Sequence, residues 1–122
     1  MRNANPVARF ILFWVVNTLA LWAASQIFST VRFDSLQALA LSGLLFGLIN
    51  ATLKPVMVIV TLPITLLTLG VFLLVINALM LMLTAWLVAD FHLLGGFLHT
   101  IVVALFVSVV SFLLNLMLGL KK

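Results

Sequence analysis

Long apolar segments separated by short polar breaks make up most of the chain. A helix needs about 20 mainly apolar residues to cross the roughly 30 Å hydrocarbon core of a bilayer. Polar residues at 29–35 end the first segment, Lys54-Pro55 ends the second, and residues 90–96 separate the third from the fourth. We therefore predict four membrane-spanning helices, over residues 8–28, 36–53, 66–89 and 97–120.

Residues 56–65 are apolar but too short to span a bilayer. Pro55 and Pro63 bracket this stretch, and each proline removes a backbone donor and disfavours helix continuation. The stretch fits a kinked continuation of the second helix to about Thr61, a short helix at the membrane interface, or a re-entrant segment whose backbone protein must bury. We favour a break at Lys54-Pro55 followed by a short interfacial or re-entrant segment.

The composition makes lipid the main solvent of this protein. Hydrophobic residues are 66% of the 122 residues and charged residues only 7%, whereas soluble domains carry roughly a quarter charged residues. The chain is too short for two domains, so residues 1–122 are predicted to form a single transmembrane domain. The six cations lie at the ends of apolar segments and form no basic stripe, which argues against nucleic-acid binding.

The distribution of charge predicts the orientation in the membrane. Cytoplasmic loops carry an excess of Lys and Arg, and an even number of spans leaves both termini on one side. The opposite side carries Arg32, Asp34 and Asp90. We therefore expect cytoplasmic N- and C-termini, on the side that carries Arg2, Arg9, Lys54, Lys121 and Lys122.

Similar short motifs suggest that the chain contains two tandem hairpins of the same orientation. Residues 17–19 (Asn-Thr-Leu) resemble residues 77–79 (Asn-Ala-Leu), and residues 48–50 (Leu-Ile-Asn) resemble residues 113–115 (Leu-Leu-Asn). The two separations differ by five residues, which a longer loop around residues 95–96 would absorb. The predicted fold is thus an all-α four-helix membrane bundle built from parallel repeats.

The repeat places one asparagine in each predicted span. An amide that faces lipid would be left unpaired at a substantial free-energy cost, so these side chains should point inward. They are interpreted as hydrogen-bonding contacts between helices, or alternatively as a polar layer that lines a water-accessible path. The predicted layer consists of Asn17, Asn50, Asn77 and Asn115.

Small residues recur every four positions on the second predicted helix. Gly43, Gly47 and Ala51 form a stripe of the kind that lets a second helix approach closely. The partner is either another helix of the same chain or a second copy of the chain. The sequence therefore leaves both helix packing and self-association open.

No constellation of residues for catalysis, cofactor binding or metal binding is evident. The only two carboxylates, Asp34 and Asp90, fall in predicted outer loops, and the chain contains no cysteine. Asp90, His92 and His99 match no tight metal-ligand spacing. Lys54 is interpreted as extending towards the cytoplasmic headgroups; the alternatives are a specific role in binding anionic lipid or in capping the end of the short segment. We predict no enzyme activity and no cofactor.

The segment from residue 50 to residue 87 resembles a known family signature. It resembles the four-span phage-holin superfamily IV, which includes the mycobacterial four-span holins and the YvlD-like proteins. The resemblance implies a bacterial inner-membrane protein of four helices, and it assigns no catalytic residue to this chain. Its recognisable elements are Asn50, Lys54-Pro55, Thr61-Leu62-Pro63, Thr68-Leu69-Gly70 and Asn77-Ala78.

Three functions fit these observations. The favoured one is a holin-like protein that self-associates as a homo-oligomer and permeabilises or remodels the bilayer. The second is a structural or regulatory membrane protein of the envelope-stress type, acting through lipids or a protein partner. The third is a small transporter or flippase that uses the asparagine layer. The spans contain no central charged residue of the kind that proton-coupled transporters use, which disfavours the third.

Overall fold

A computed structural model describes residues 5–119 of the chain. Five helices and two short strands follow one another in this part of the protein. Arg2, Lys121 and Lys122, and the predicted end of the fourth span at residue 120, lie outside the described residues. The elements are α1 Pro6–Ile27, β1 Val31–Phe33, α2 Leu36–Val60, α3 Leu62–Leu67, α4 Phe72–Leu87, β2 Phe91–Leu93 and α5 Gly96–Leu118.

Side-chain caps fix the starts of the first two long helices. The Asn5 side chain accepts a hydrogen bond from the Ala8 amide at 2.7 Å, and Pro6 occupies the first turn, where its missing N–H is not needed. The Ser35 hydroxyl accepts from the Ala38 amide at 3.0 Å in the same way. These caps satisfy backbone donors that helix geometry alone leaves unpaired.

The four longer helices form a closed ring. Helix α1 packs against α2 and α5, and α4 packs against the same two helices. Most of their inward-facing residues are small or apolar, so the helices approach closely. Residues with essentially no solvent exposure include Ala20, Leu21, Ala24, Ile76, Ala78 and Leu81.

A short antiparallel sheet joins the two hairpins at one end of the bundle, which an all-α prediction did not include. Strand β1 links α1 to α2, strand β2 links α4 to α5, and Arg32 lies opposite His92. The Asp34 amide donates to the Asp90 carbonyl at 3.0 Å, and the Leu94 amide donates to the Thr30 carbonyl at 2.8 Å. These bonds satisfy backbone groups that loops would otherwise expose.

The two strand-to-helix links have the same length, which corrects the longer loop predicted around residues 95–96. Residues 34–35 separate β1 from α2, and residues 94–95 separate β2 from α5. Gly95 makes the second link short because it adopts the left-handed conformation, with φ of 93°. Residues of α2 and α5 are therefore offset by about 60, so Asn115 lies about one turn beyond the position equivalent to Asn50.

Helix α2 continues through Pro55 to Val60, so the break predicted at Lys54-Pro55 is wrong. A proline removes one hydrogen bond from a helix, but apolar membrane helices tolerate this because neighbouring groups compensate locally. The helix instead ends at Thr61, whose φ of −97° and ψ of 13° depart from helical values. Pro63 then falls in the first turn of α3, a position that suits proline.

The third predicted helix is also interrupted, because no continuous helix covers residues 66–89. Leu66 and Leu67 belong to α3, and Leu69 and Gly70 both take positive φ angles of 55° and 89°. Two successive residues in that region end an α-helix. Helix α4 therefore starts at Phe72 and is 16 residues long, or about 24 Å at 1.5 Å per residue.

Three helices of the described chain are long and apolar enough to cross a membrane. These are α1, α2 and α5, with 22, 25 and 23 residues. Helix α4 is equally apolar but shorter. The large apolar side chains on the outside of the ring, such as Leu98 and Met117, suit contact with lipid. The chain is therefore an α-helical membrane protein.

Candidate functional site: a polar cavity between three helices

A cavity of about 430 Å³ lies between α1, α2 and α5. Helix α1 contributes Asn17 and aromatic side chains, α2 contributes Asn50 and Lys54, and α5 contributes the remaining polar side chains. The cavity extends along the half of the bundle that is remote from the two strands. Its fourteen lining residues are Phe10, Phe13, Trp14, Val16, Asn17, Gly43, Leu44, Gly47, Leu48, Asn50, Ala51, Lys54, Ser111 and Asn115.

Three of the four predicted asparagines meet at this cavity and the fourth does not. Asn17, Asn50 and Asn115 all line it. The Asn77 side chain instead donates a hydrogen bond to the Ser108 hydroxyl at 3.2 Å, across the contact between α4 and α5. That bond is the interhelical contact expected of an amide inside a helix bundle.

Three residues that line the cavity each have a buried polar atom that forms no hydrogen bond within the described chain. Within residues 5–119, Asn50 Oδ1, Asn115 Oδ1 and Ser111 Oγ are buried and have no hydrogen-bond partner. Asn115 and Ser111 are each only 6% exposed. A buried polar group without a partner costs about 1–3 kcal/mol, so three of them at one place are a notable free-energy cost.

The small-residue stripe faces α1 of the same chain over part of its length. A Cβ atom at Gly43 would lie 2.0 Å from Thr18 Oγ1, and one at Gly47 would lie 2.9 Å from Asn17 Nδ2. Both glycines thus allow α1 and α2 to approach closely. Ala51, the third member of the stripe, is exposed on the outside of the ring at the edge of the cavity.

The residues of the family signature fall partly inside helices and partly at turns. Lys54 is half-buried and lines the cavity. Pro55 lies inside α2, and Pro63 lies in the first turn of α3. Gly70 takes φ of 89° in the turn before α4, where only a glycine is unstrained.

The polar residues at the strand end form contacts both within the first hairpin and between the two hairpins. His92 Nε2 lies 2.8 Å from Asp34 Oδ2, and Arg32 Nε lies 3.7 Å from Asp34 Oδ1. The His99 ring is hydrogen-bonded to the Thr30 hydroxyl. Over residues 5–119, no three His, Asp or Glu side chains lie close enough to hold a metal ion together.

Two residues of the site were missed by reasoning from sequence. Ser111 lies four residues before Asn115, so both project from the same face of α5. That spacing could have identified Ser111 as a neighbour of Asn115 from the sequence alone. The Trp14 indole N–H donates to the Ala40 carbonyl at 2.8 Å and anchors the aromatic wall of the cavity, and no local pattern predicts this contact between α1 and α2.

The fold and the cavity define a small helical-bundle membrane protein with a polar interior. Residues 8–113 match the family described as Mycobacterial 4 TMS phage holin, superfamily IV. The match covers most of the chain, and the protein belongs to this family. No curated protein and no solved structure matches the chain significantly. The resemblance identified in the sequence is therefore confirmed.

Proposed function

We propose that this holin-family protein self-associates in the bacterial inner membrane and permeabilises or remodels the bilayer. Membership of the holin family over residues 8–113 is the observation that carries the proposal. The apolar exterior of the bundle supports self-association, because helices that face lipid associate with one another through close packing and interhelical contacts.

The surface that best supports contact between copies lies on the outside of α2. Gly43 and Gly47 are occupied by α1 of the same chain, whereas Ala51 is small and exposed. The polar residues of the bundle mostly face inward, so one bundle offers no continuous polar face for lining a wide aqueous hole. The apolar exterior of the bundle therefore favours remodelling of the bilayer by packed bundles over a wide hole lined by single helices.

Induced expression in bacteria tests the proposal. We expect membrane integrity to fail abruptly above a threshold amount of protein, as measured by growth and by entry of an impermeant dye. Ala51→Leu should raise this threshold several-fold, because a bulky residue at an exposed small position blocks close helix contact. A high level of folded wild-type protein in an intact membrane would refute permeabilisation.

A folding-defective control separates assembly from mere accumulation of protein. Gly43→Leu should prevent correct folding because its side chain would overlap Thr18. Dye entry caused equally by the wild type and by Gly43→Leu would indicate non-specific damage and would overturn the proposal. Crosslinking of the wild type and of Ala51→Leu in membranes reports the oligomeric state independently.

The same proposal includes a topology with both termini in the cytoplasm and four crossings. Helix α4 alone, at about 24 Å, is shorter than the hydrocarbon core, so α3 and the turn at 68–71 must complete the third crossing at the cytoplasmic side. Arg9 and Lys54 at the end remote from the strands support this orientation.

Single cysteines test the topology without background, because the chain has none of its own. Ser29 is exposed in the turn before β1, and Leu69 is 92% exposed in the turn before α4. We expect Ser29→Cys to react with an impermeant maleimide in intact spheroplasts, and Leu69→Cys to react only after lysis. The reverse labelling pattern would rule out a cytoplasmic N-terminus.

We further infer that the two hairpins are tandem repeats of the same orientation. The strand hydrogen bonds support this, since residues 30 and 34 in the first hairpin correspond to 90 and 94 in the second. Asn17 and Asn77 are also 60 residues apart, and each lies against the second helix of its hairpin, at Gly47 and Ser108 respectively. The position equivalent to Ser108 is Leu48, whose side chain offers no hydrogen-bonding group to Asn17.

A further inference from the structure

Both histidines of the chain lie at the strand end of the bundle, where the two hairpins meet. His92 Nε2 lies 2.8 Å from Asp34 Oδ2, and the His99 ring is hydrogen-bonded to the Thr30 hydroxyl. In each pair the histidine belongs to the second hairpin and its partner to the first. Within residues 5–119, every side-chain hydrogen bond between the hairpins at this end therefore involves histidine, the side chain that usually gains a proton between about pH 5 and 8.

The two pairs respond differently when the histidine gains a proton. A hydroxyl both donates and accepts hydrogen bonds, so Thr30 can pair with either form of the His99 ring. An ionised carboxylate only accepts, and the attraction of Asp34 for the His92 ring increases when that ring becomes positively charged. The contact between Asp34 and His92 is therefore the one whose strength depends on pH.

Arg32 is the charged group that opposes this attraction. It lies directly opposite His92 in the sheet, and like charges in that position repel each other. Asp34 offsets the repulsion because its Oδ1 atom lies 3.7 Å from Arg32 Nε while its Oδ2 atom contacts His92. The Arg32 side chain is also 62% exposed, so solvent screens its charge. The attraction between Asp34 and protonated His92 should therefore exceed the repulsion.

The remaining titratable groups near His92 are Asp90 and His99. Asp90 is exposed in the turn before β2 and forms no ion pair within the described chain. Helix α4, which packs against β2, has no titratable side chain, and the one in α2, Lys54, lies at the remote end. The response to pH thus depends on Arg32, Asp34 and His92.

We propose that the contact between Asp34 and His92 makes the attachment of the two hairpins to each other sensitive to pH. Protonation of His92 strengthens the attachment, and loss of that proton weakens it. The added strength is lost as pH rises through the usual titration range of histidine, and also at strongly acidic pH, where carboxylates become neutral. In the topology proposed above, this contact lies on the outer side of the membrane and responds to the pH there.

The contact itself depends neither on permeabilisation nor on the topology. The experiment therefore uses the purified full-length chain in an uncharged detergent, whose micelles do not change the local proton concentration. Its outcome is independent of dye entry in cells, which tests the proposed function.

Hydrogen exchange of backbone amides at the sheet, followed by NMR, is the test. The Asp34 amide donates to the Asp90 carbonyl, and the Leu94 amide donates to the Thr30 carbonyl, so both amides report separation of the hairpins. Protection factors at pH 5.5 and 7.5 are compared, because they correct for the intrinsic pH dependence of exchange. We expect protection of both amides to be about threefold higher at pH 5.5, a size typical of an exposed ion pair.

Three variants identify the charges responsible. His92→Gln keeps a hydrogen-bond donor but cannot become charged, so the difference between the two pH values should disappear. Asp34→Asn should reverse the difference, because protonated His92 then lies opposite Arg32 without an anion beside it. Arg32→Gln should enlarge the difference, since the repulsion is removed.

His99→Gln and Asp90→Asn are the matched controls. Each removes a titratable group at the same end of the bundle that forms no hydrogen bond or ion pair with His92 in the described chain. Both variants should keep the threefold difference in protection.

Three results would overturn the proposal. The first is equal protection of the two amides at pH 5.5 and 7.5 in the wild type. The second is a full response in His92→Gln together with its loss in His99→Gln, which would assign the response to the other histidine. The third is higher protection at pH 5.5 in Asp34→Asn, which would mean that the carboxylate is not the partner of the charged ring.

Discussion

Gly43→Ala is expected to lower the free energy of unfolding by about 3 kcal/mol, the upper end of the usual range for an overpacked core. The added Cβ would lie 2.0 Å from Thr18 Oγ1 and 2.9 Å from the Thr18 Cα atom. A rotamer change moves the hydroxyl but not the backbone atom, so α1 must move away from α2. Reversible unfolding in mixed micelles, followed by circular dichroism, measures this loss.

Gly47→Ala provides the graded comparison. Its Cβ would lie 2.9 Å from Asn17 Nδ2, and the next contact on that side chain is at 3.8 Å. This obstacle is the end of a flexible side chain that can turn into the cavity, so the loss should stay below about 1 kcal/mol. Equal losses at Gly43 and Gly47 would contradict the assignment of the tighter contact to Gly43.

A double variant tests the same contact from the other side. Thr18→Ala alone should have little effect, because the Thr18 hydroxyl is buried without a partner. Combined with Gly43→Ala, it should restore part of the lost stability, since it removes the nearer of the two obstacles. Strictly additive losses in the double variant would mean that the two residues do not interact.

Hydrophobicity was enough to predict the helical bundle, but not where its helices are interrupted. Lys54-Pro55 looked like an end because prolines disfavour helix interiors in water, yet α2 passes through it. The interruption at Leu69 and Gly70 depends on two positive φ angles, and a Thr-Leu-Gly sequence inside an apolar run is a weak signal of them. The change from apolar to polar residues that usually marks a helix end is missing in such a run.

The sheet between the hairpins could not be predicted because each strand has only three residues. Residues 31–33 and 91–93 pair across about 60 residues of chain, and neither shows an alternating pattern long enough to indicate a strand. Their pairing depends on the two hairpins already lying side by side. It is a consequence of tertiary structure, which local sequence does not encode.

The candidate site was predictable in its residue types and not in its geometry. The cost of exposing an amide to lipid predicts that the asparagines point inward; Asn115 is buried, and Asn17, Asn50 and Asn77 are half-buried. Sequence could not distinguish Asn77, which bonds Ser108, from Asn17, which faces Gly47, because the difference lies in the residue on the neighbouring helix. The stripe of small residues likewise predicted a close contact between helices, but not which helix makes it.

Phe91→Ala is expected to lower the free energy of unfolding by about 3–4 kcal/mol, within the range for removal of a buried aromatic ring. Phe91 is only 3% exposed, and its ring stacks on Phe33 with the ring centroids 4.3 Å apart. The two rings lie directly opposite each other in the sheet. Loss of one ring therefore opens a cavity at the only strand pairing of the described chain.

This loss of stability upon removal of the Phe91 ring is expected even for a bundle that lies in lipid. A bundle in lipid gains little from burying apolar area, but a void still forfeits the dispersion contacts of the atoms that line it. Because the sheet joins one hairpin to the other, the loss should also make the two hairpins separate more readily. Protease cleavage between residues 87 and 96 in proteoliposomes should therefore increase in Phe91→Ala.

Phe97→Ala is the matched control for Phe91→Ala. Phe97 lies near the same end of the bundle but is 41% exposed, so its removal leaves no enclosed void and should lower stability by less than about 1 kcal/mol. Phe91→Leu should fall between the two, since it fills part of the space without stacking. If Phe91→Ala and Phe97→Ala proved equally stable, the sheet would not hold the hairpins together, and the helix contacts alone would account for the closed ring.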